Sequence, residues 1–548
     1  MAGMKRLLLI ATALTLVAAA CGDDSGTPFT GGTTTRGTPT TVAGGFDYPQ
    51  DVIDGYMEGC TQDGPEDFCR CSIEEFQKRL SLGEFVDLAG SDDITSDPVA
   101  AEIIDFCLFG TPGTTVPPTT GSAGTTVPPT TGEFTPILDM ETLIELSIQD
   151  LEIYWAAEMP TTWGVNYTPI SATGPYFNSQ GDVPECGGPL PQEAYVGNAF
   201  YCSLDDTVQW DAEDLMAPLF QEFGDFTVAL VMAHEWGHAV QERYGFDDSL
   251  PTIISELQAD CLAGAWTSYV DSEQSDLLRL EPGDLEEGMA GFLLIGDQLG
   301  SAPDGPNAHG GSFDRLTAFF DGFNSGPSEC ATFDQPDTPP DVVFIPLIEG
   351  DDPNEGGDLP YADTAPILTD ALEVFWSVVY PDVFGTEWIP LSGQIPYQPS
   401  SGNFPACGGT VHDRSFYEGN AFYCPAEDYI AWDDEQFFPD LYQQIGDFAI
   451  GLVLANEYGR AVQNRAGLPM DTVAAQLQVD CLSGVFTAAM TFDDNPMQLF
   501  LSAGDLEEGI AGFLTLSGTP GETDSATAFQ RFEAFKDGFF EGSTACGV

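Results

Sequence analysis

His234 and His238 lie four residues apart in the sequence His-Glu-Trp-Gly-His. Positions i and i+4 share one face of an α-helix, and the surrounding run Asp225–Tyr244 is apolar and helix-like, so both imidazoles can reach one metal ion. Glu235 follows the first histidine, where it can act as general base toward water at the metal. The alternative, two hydrogen-bonded core histidines, is disfavoured because the whole chain has only four histidines.

A third ligand is expected from the next helix-like run, Ile253–Val270. Catalytic zinc takes three protein ligands and leaves one position for water. Glu256 and Asp260 are again four residues apart, so they project from one helix face. We predict one zinc ion per chain, with Glu256 as the third ligand and Asp260 as the acceptor that fixes a ligand imidazole. The alternative for this acidic pair is a solvated helix face.

A hydrogen-bond donor near the metal would stabilise the negative charge that develops on a peptide carbonyl oxygen. His309 is the candidate, because it is the only other histidine in this half of the chain. Tyr244 and Arg315 are alternative donors. His309 could instead be a surface residue in the glycine-rich stretch that it begins.

The segment 234–238, followed by Glu-Leu-Gln-Ala-Asp-Cys at 256–261, resembles the neutral zinc metallopeptidase family of bacteria. It is also similar to the gluzincin arrangement, in which two helices supply two histidines and a glutamate. The resemblance runs from about Cys186 to Phe333 and implies a zinc-dependent peptidase without defining its substrate. Other short motifs follow the family's order: Cys186-Gly-Gly, Asn198-Ala-Phe-Tyr-Cys, Gly283-Asp-Leu-Glu-Glu, Ile295-Gly-Asp, His309-Gly-Gly-Ser and Cys330-Ala-Thr-Phe.

The chain contains a second version of this region, which predicts a duplicated domain because the repeat is too long for a solenoid. We call residues 136–333 copy one and residues 360–548 copy two, with a linker at 334–359. Three pairs of segments show the repeat: 151–155 with 372–376, 197–202 with 419–424, and 283–288 with 504–509.

Copy two lacks the predicted metal ligands. His234, His238 and Glu256 correspond to Asn456, Arg460 and Gln476, and His309 corresponds to Ser525. Glu457 and Asp480 retain the positions of Glu235 and Asp260. An amide and a guanidinium are not normal zinc ligands, so copy two is predicted to be catalytically inactive. We expect the charge of Arg460 to replace that of the ion, by pairing with Glu457 or Asp480.

Residues 1–20 have the pattern of a secretory signal peptide, with two basic residues before a short apolar stretch. The segment Leu-Val-Ala-Ala-Ala-Cys at 16–21 resembles a bacterial lipoprotein cleavage site, with Cys21 as the lipidated residue. The alternative is an ordinary signal peptide, with Cys21 removed or free. We therefore expect an exported protein on the bacterial cell surface that contacts the membrane only through its lipid.

The chain has 13 cysteines, and setting Cys21 aside leaves an even number. Even sets in an exported chain indicate disulfides. In each copy we favour first-with-second and third-with-fourth pairing, because the first two cysteines flank one short loop. The three groups are Cys60, Cys69, Cys71 and Cys107; Cys186, Cys202, Cys261 and Cys330; and Cys407, Cys424, Cys481 and Cys546.

The predicted fold is mainly α: two tandem zincin-like helical domains with minor β structure, preceded by a small disulfide-rich helical module. That module is residues 46–110, after a Thr/Gly-rich tether at 21–45 and before a Pro/Thr linker at 111–135. The Tyr- and Pro-rich segments before each Cys-Gly-Gly are expected to be irregular, with a short hairpin. The central helices are expected at Asp225–Tyr244, Ile253–Val270, Asp447–Ala466 and Met470–Met490.

The formal net charge of −74 excludes a nucleic-acid-binding role, because a phosphate backbone would be repelled. The sequence favours a cell-surface zinc metallopeptidase that hydrolyses peptides or proteins, with one active and one inactive copy. A non-enzymatic peptide-binding or scaffold protein is the alternative. A third possibility is a zinc hydrolase that acts on cell-wall peptides.

Overall fold

The computed structural model describes residues 138–548, apart from residues 248, 304, 306–307, 336, 349–355 and 519–524, together with Arg70 and Ile73. The predicted signal peptide, Cys21, the tether and the Pro/Thr linker therefore lie outside the described residues, as does all of the 46–110 module except Arg70 and Ile73. Both copies belong to one compact unit, Phe134–Val548. The fold is mainly α, as predicted.

Each copy contains a long first helix, a small sheet and a pair of central helices. Copy one consists of α1 (Met140–Thr162), β1 (Ala172–Tyr176), β2 (Ala199–Cys202), β3 (Thr207–Asp211), a π-helical turn (Ala212–Met216), α2 (Ala217–Glu222), α3 (Asp225–Tyr244), α4 (Thr252–Asp271), α5 (Asp284–Ile295), α6 (Ser312–Ser325) and α7 (Pro327–Cys330). Copy two consists of α8 (Tyr361–Phe384), β4 (Gly393–Tyr397), α9 (Arg414–Tyr417), β5 (Ala421–Cys424), β6 (Tyr429–Asp433), α10 (Phe437–Gln444), α11 (Asp447–Ala466), α12 (Val473–Ala489), α13 (Asp505–Leu516) and α14 (Ala528–Glu541). Short 3₁₀ turns lie at Asn178–Gln180, Gln192–Ala194 and Pro399–Ser401.

The two sheets have the same order, β1-β3-β2 and β4-β6-β5. In copy one, β3 pairs in parallel with β1 and antiparallel with β2, so β2 is an edge strand. The strand at Ala172–Tyr176 replaces the irregular segment expected before Cys186, and the hairpin is formed by β2 and β3 instead. The partner of β1 is β3, which begins at Thr207, so this pairing joins residues that are far apart in the sequence.

The central helix α3 has the predicted bounds because glycines flank both ends. Gly245 ends it in the left-handed conformation, with φ 87°. Within α3, Gly237 allows a close crossing with α4: a Cβ at this position would lie 2.8 Å from Ala259 Cα. The glycine of the His-Glu-Trp-Gly-His sequence thus brings the two central helices together. The copy-two helix α12 begins later than predicted, because the side chain of Thr472 caps it.

The two copies pack through α5 and α6 on one side and α13 and α14 on the other. One continuous hydrophobic core contains residues of both copies. The Phe320 and Phe529 rings stack with their centroids 4.2 Å apart. At the rim, Lys536 pairs with Asp321 at 3.1 Å. The copies therefore form one folded unit. None of the described helices is both long enough and apolar enough to span a bilayer.

A glutamate caps the N-terminus of α3 in copy one and of α11, the equivalent helix, in copy two. Glu287 on α5 accepts a hydrogen bond from the Phe226 backbone N–H at 3.3 Å, and Glu508 on α13 accepts one from Phe448 at 2.7 Å. Burial, followed by repulsion from neighbouring carboxylates, raises the pKa of Glu287 to about 8 and that of Glu508 to about 10. Burial also raises the pKa of Asp284 to about 7.

These caps predict that the protein becomes less stable as the pH rises from 6 to 9. Carboxyl groups of the unfolded chain titrate near pH 4, so at pH 6 the folded state binds protons that the unfolded state has already released. The stabilising contribution of these protons is lost as the pH rises through the folded pKa values. We expect Tm to fall across this range. Glu287→Gln and Glu508→Gln keep the acceptor without the ionisation, so each should flatten the slope. An unchanged slope in both variants would contradict the assignment.

Candidate metal centre and cleft

The three predicted ligands meet where α3 crosses α4. His234 and His238 come from α3, and Glu256 comes from α4. The Nε2 atoms of the two histidines lie 3.1 Å apart. Glu256 Oε2 lies 3.2 Å from His234 Nε2 and 3.6 Å from His238 Nε2. The three donor atoms form a compact triangle.

The dimensions and chemistry of this triangle fit a zinc ion. Zinc bonds of about 2.0–2.2 Å at tetrahedral angles place ligand atoms about 3.3–3.6 Å apart, and two histidines with one glutamate are a known catalytic set. In the described part of the chain, no other cluster of candidate metal ligands contains a histidine.

Acceptors behind the imidazoles orient both rings. His234 Nδ1 lies 2.7 Å from Asp260 Oδ1, and His238 Nδ1 lies 2.9 Å from Gln241 Oε1. A proton on each Nδ1 leaves both Nε2 lone pairs directed into the triangle. Gln241 is itself fixed, because its Nε2 donates to the Ser255 carbonyl oxygen at 2.7 Å.

Arg315, from α6, holds Asp260 in place. Its Nε and Nη2 donate to the two carboxylate oxygens of Asp260 at 2.8 and 2.9 Å. Its Nη1 donates to the Ile295 carbonyl oxygen at the end of α5, at 2.7 Å. The side chains of Arg315 and Asp260 are 4% and 1% exposed, so this ion pair is buried. Helices α4, α5 and α6 therefore converge behind His234.

The carboxylates strongly favour protonation of the imidazoles. Burial disfavours the charged form of His234, but Asp260 and Glu256 outweigh burial and raise its pKa to about 10. Burial also opposes the charge on His238, and Glu256 raises its pKa. Burial would raise the pKa of Glu256, but the two histidines hold it well below its usual value. A metal ion must displace protons here, so its affinity should increase with pH.

Glu235 lies next to the triangle and is anchored to the sheet. Its Oε2 accepts a hydrogen bond from the Tyr201 backbone N–H at 2.8 Å. Tyr201 belongs to the edge strand β2, and this bond shows that its N–H points away from β3. Glu235 is buried, yet it lines the same cleft as the three ligands.

The cleft has a volume of about 1000 Å³, at the upper end of the range for ligand sites. The edge strand β2 forms part of its wall, and apolar side chains of α3 and α5 line another part. The apolar lining residues include Leu230, Val231, Phe292 and Leu294. The exposed carboxylates Asp214 and Glu242 also face the cleft.

The three candidate donors for the substrate carbonyl have different surroundings. His309 lines the cleft, with a side chain that is 52% exposed and an Nδ1 that lies 3.4 Å from Asp297 Oδ1. Tyr244 is not among the residues that line the cleft. Its hydroxyl lies 2.8 Å from Gln258 Oε1 and 3.1 Å from Asp334 Oδ2. Arg315 reaches the cleft, but its guanidinium already binds Asp260 and Ile295.

Copy two keeps the framework of this site without its ligands. Arg531 Nε and Nη2 both donate to Asp480 at 2.8 Å, as Arg315 does to Asp260. Asn456 stands in place of His234, and its Nδ2 donates to Ser483 Oγ at 2.9 Å. Glu457 accepts a hydrogen bond from the Tyr423 N–H at 2.6 Å, as Glu235 does from Tyr201.

Arg460, in place of His238, is directed toward Glu457. Its Nε lies 3.5 Å from Glu457 Oε1, and its side chain is 33% exposed. Of the two carboxylates predicted as possible partners of Arg460, it therefore approaches Glu457. The other, Asp480, is bound by Arg531. Gln476, in place of Glu256, accepts a hydrogen bond from the Ala526 backbone N–H at 3.1 Å.

Gln463 in copy two has a side-chain oxygen that is unpaired within the described part of the chain, which its counterpart in copy one explains. It corresponds to Gln241, whose Oε1 binds His238. Gln463 Oε1 is buried and has no hydrogen-bond partner among the described residues. A buried acceptor without a partner is uncommon in folded proteins. Its presence is consistent with descent of copy two from a copy that carried the histidine.

The family described as "putative neutral zinc metallopeptidase" matches residues 184–333 and 406–546, together more than half of the chain. The chain belongs to this family. Both matched regions lie within the predicted copies, and the metallopeptidase family thus occurs twice in one polypeptide.

Two curated relatives of the chain are uncharacterized proteins. The Escherichia coli protein YpfJ is 34% identical over 157 residues, which covers 24% of this chain and 53% of YpfJ. An uncharacterized protein of Mycobacterium tuberculosis is 32% identical over 178 residues, which covers 28% of this chain and 59% of that protein. The chain thus spans little more than half the length of these relatives. No solved structure matches it.

The disulfides of both copies follow the favoured pairing. They join Cys186 to Cys202, Cys261 to Cys330, Cys407 to Cys424 and Cys481 to Cys546. Cys261 follows Asp260 directly, so one bridge ties the part of α4 that carries Glu256 and Asp260 to α7. In copy two, the equivalent bridge ties α12 to the C-terminus.

Three contacts at the candidate metal centre were not predicted from the sequence. Gln241 lies three residues after His238, on the same helix face, and recurs as Gln463, so its position and recurrence were available as signals. The Tyr201 N–H could not be found in this way, because a backbone donor leaves no side-chain signature. The role of Arg315 behind Asp260 was also missed, although Arg531 recurs at the equivalent position.

Proposed function

We propose that copy one is a zinc-dependent peptidase and that copy two is its catalytically inactive partner in the same polypeptide. The observation that carries this proposal is the triangle of His234, His238 and Glu256, with Glu235 beside it in one large cleft. Copy two shows that the fold does not require these residues, because it keeps the same helices with none of the three ligands.

Each residue near the triangle has a separate role in the proposed hydrolysis. When bound, zinc supplies a Lewis acid that polarises a peptide carbonyl and acidifies water. Glu235 accepts the proton of the attacking water and then gives it to the leaving amine. The Tyr201 N–H holds one oxygen of Glu235 in place for both steps. His309, at the rim of the cleft, is the candidate donor to the carbonyl oxygen.

The edge strand β2 supports a peptide as the substrate. Tyr201 directs its N–H away from β3, and by the two-residue repeat of a strand Ala199 directs its backbone groups the same way. Both residues line the cleft. The Tyr201 N–H is already bound to Glu235, so an extended chain would pair with the Tyr201 carbonyl and the backbone groups of Ala199, a common mode of peptide recognition.

The N-terminal sequence supports a location for this activity. Its signal-peptide pattern and the segment that ends at Cys21 are those of an exported lipoprotein. We propose that the peptidase acts at the cell surface, held to the membrane by lipid on Cys21.

The first test is the zinc content of the purified mature protein by elemental analysis. We expect one zinc ion per chain, because within the described residues only copy one provides the ligand set. His238→Ala should lose this zinc. The matched control Arg460→Ala changes the equivalent position of copy two and should keep it. A protein that binds no zinc when purified in zinc-containing buffer would overturn the proposed function.

The zinc-loaded protein should then hydrolyse unfolded casein, and removal of zinc by a chelator should stop the reaction reversibly. Activity on peptidoglycan fragments but not on casein would assign the same centre to cell-wall peptides. A protein that binds zinc but cleaves neither would leave the peptide-binding alternative in place of the peptidase.

A further inference from the structure

The repeated sequence Gly-Asp-Leu-Glu-Glu occurs at 283–287 and 504–508, and only its second glutamate is explained by the caps on α3 and α11. The first glutamates, Glu286 and Glu507, are directed across the interface between the copies. Glu286 on α5 accepts a hydrogen bond from the Phe529 backbone N–H in the first turn of α14, at 3.3 Å. Glu507 on α13 lies against the first turn of α6, close to the Ser312 backbone N–H.

Each copy therefore places a carboxylate at the N-terminus of a helix of the other copy. The first backbone N–H groups of a helix lack partners within it and favour a negative charge, so a carboxylate there is stabilising. A Cβ at Gly311, the residue before α6, would lie 3.4 Å from Glu507 Oε1, which shows how closely the carboxylate approaches. The arrangement is reciprocal, as in the interface of a symmetric dimer.

The consequence differs between the copies, because only α6 leads to metal ligands. Arg315 lies one turn into α6, and its backbone N–H donates to the Gly311 carbonyl oxygen at 3.0 Å. Its guanidinium holds Asp260, which in turn holds His234. In copy two, Arg531 holds Asp480 in the same way, but Asn456 stands at the position of the ligand.

Aromatic packing secures the same turn of α6. The Phe313 ring lies 5.2 Å from Phe539 and 5.7 Å from Phe532, measured between ring centroids. His309, three residues before α6, lines the cleft, and the backbone N–H groups of His309 and Gly310 both donate to Asp297 Oδ2. Copy two thus contacts the start of the helix on which the arrangement behind His234 depends.

We propose that copy two acts as a positioning partner for the zinc site of copy one, with Glu507 as the positioning residue. This inference rests on the proposed zinc site. Glu507 does not touch the ligands. It fixes the N-terminus of α6, and through Arg315 and Asp260 it fixes the orientation of His234.

The test compares Glu507→Ala with Glu286→Ala, which removes the reciprocal cap on the inactive side. Both variants lose one carboxylate at a helix N-terminus across the same interface, so both should lower Tm, by about 2 °C. Only Glu507→Ala should weaken zinc binding, by about tenfold, the lower end of the effect of residues that orient a metal ligand. Glu507→Gln keeps the acceptor and should restore most of the affinity. Zinc affinity is measured by chelator competition on the full protein, and the absorption bands of the cobalt(II)-substituted protein report the ligand geometry.

Equal zinc affinity in all three variants and the parent protein would overturn the positioning role. Equal weakening in Glu507→Ala and Glu286→Ala would also overturn it, because it would show a general loosening of the interface. Failure of the parent protein to bind zinc would instead count against the proposed function. The two failures are therefore distinguishable.

Discussion

Replacing Glu235 by glutamine is expected to reduce peptide hydrolysis by about 10²–10⁴-fold, the usual contribution of a positioned general base. The amide can still accept the hydrogen bond from the Tyr201 N–H, so the local structure should be retained. It cannot take a proton from water. Zinc content should stay unchanged, because Glu235 is not one of the three ligands. Hydrolysis rate and zinc content are measured on the same preparation.

Copy two offers a matched control for this variant. Glu457 makes the same contact with the Tyr423 N–H, in a copy that lacks the two histidines and the glutamate of the candidate site. Glu457→Gln should therefore leave hydrolysis unchanged. Full activity of Glu235→Gln would show that another group takes the proton. Equal losses in both variants would show that the glutamate supports the fold instead.

The geometry of the metal site was largely predictable because its spacing is local. The i, i+4 pair of histidines needs only a helix, and glycines flank the predicted run at 224 and 245. The bounds of α4 differ from the prediction by one residue at each end. The contact between α3 and α4, however, depends on Gly237 and Ala259, which face each other only in the folded protein.

The parts of the fold that were not predicted depend on distant partners. The strand β1 pairs with residues more than thirty positions later in the chain. Its own short sequence shows no alternation of apolar and polar residues from which a strand could be predicted. The packing of the two copies against each other could not be predicted from the sequence either. Phe313 and Phe529 occupy equivalent positions, and an apolar helix face can pack within its own copy or against the other one.

The loss of ligands from copy two separates structural residues from chemical ones. Asp480 and Arg531 remain although no histidine needs orientation, so the corresponding pair in copy one must contribute to folding as well as to the metal site. Glu457 remains with its contact to the sheet. The residues that copy two has lost are the three ligands and His309, which makes these four the most specific to metal chemistry.

The largest effect on stability is expected from Arg315→Ala. Removing the arginine leaves the Asp260 carboxylate, which is 1% exposed, without its guanidinium, and breaking a buried ion pair costs about 3–5 kcal/mol. Arg531→Ala should cost a similar amount, because Asp480 is as deeply buried. Only Arg315→Ala should also weaken zinc binding, by about 10–100-fold, because only Asp260 orients a ligand. The free energy of unfolding by denaturant and zinc affinity are measured in parallel.

A double-mutant cycle shows whether the cost comes from the orphaned carboxylate. Adding Asp260→Asn to Arg315→Ala removes the charge, so the double variant should be more stable than Arg315→Ala alone. Zinc affinity should remain low, because the asparagine no longer provides a carboxylate to His234. If the double variant is as unstable as the sum of its single changes, the two residues do not act as a pair. The arginine would then stabilise the fold mainly through the Ile295 carbonyl at the end of α5.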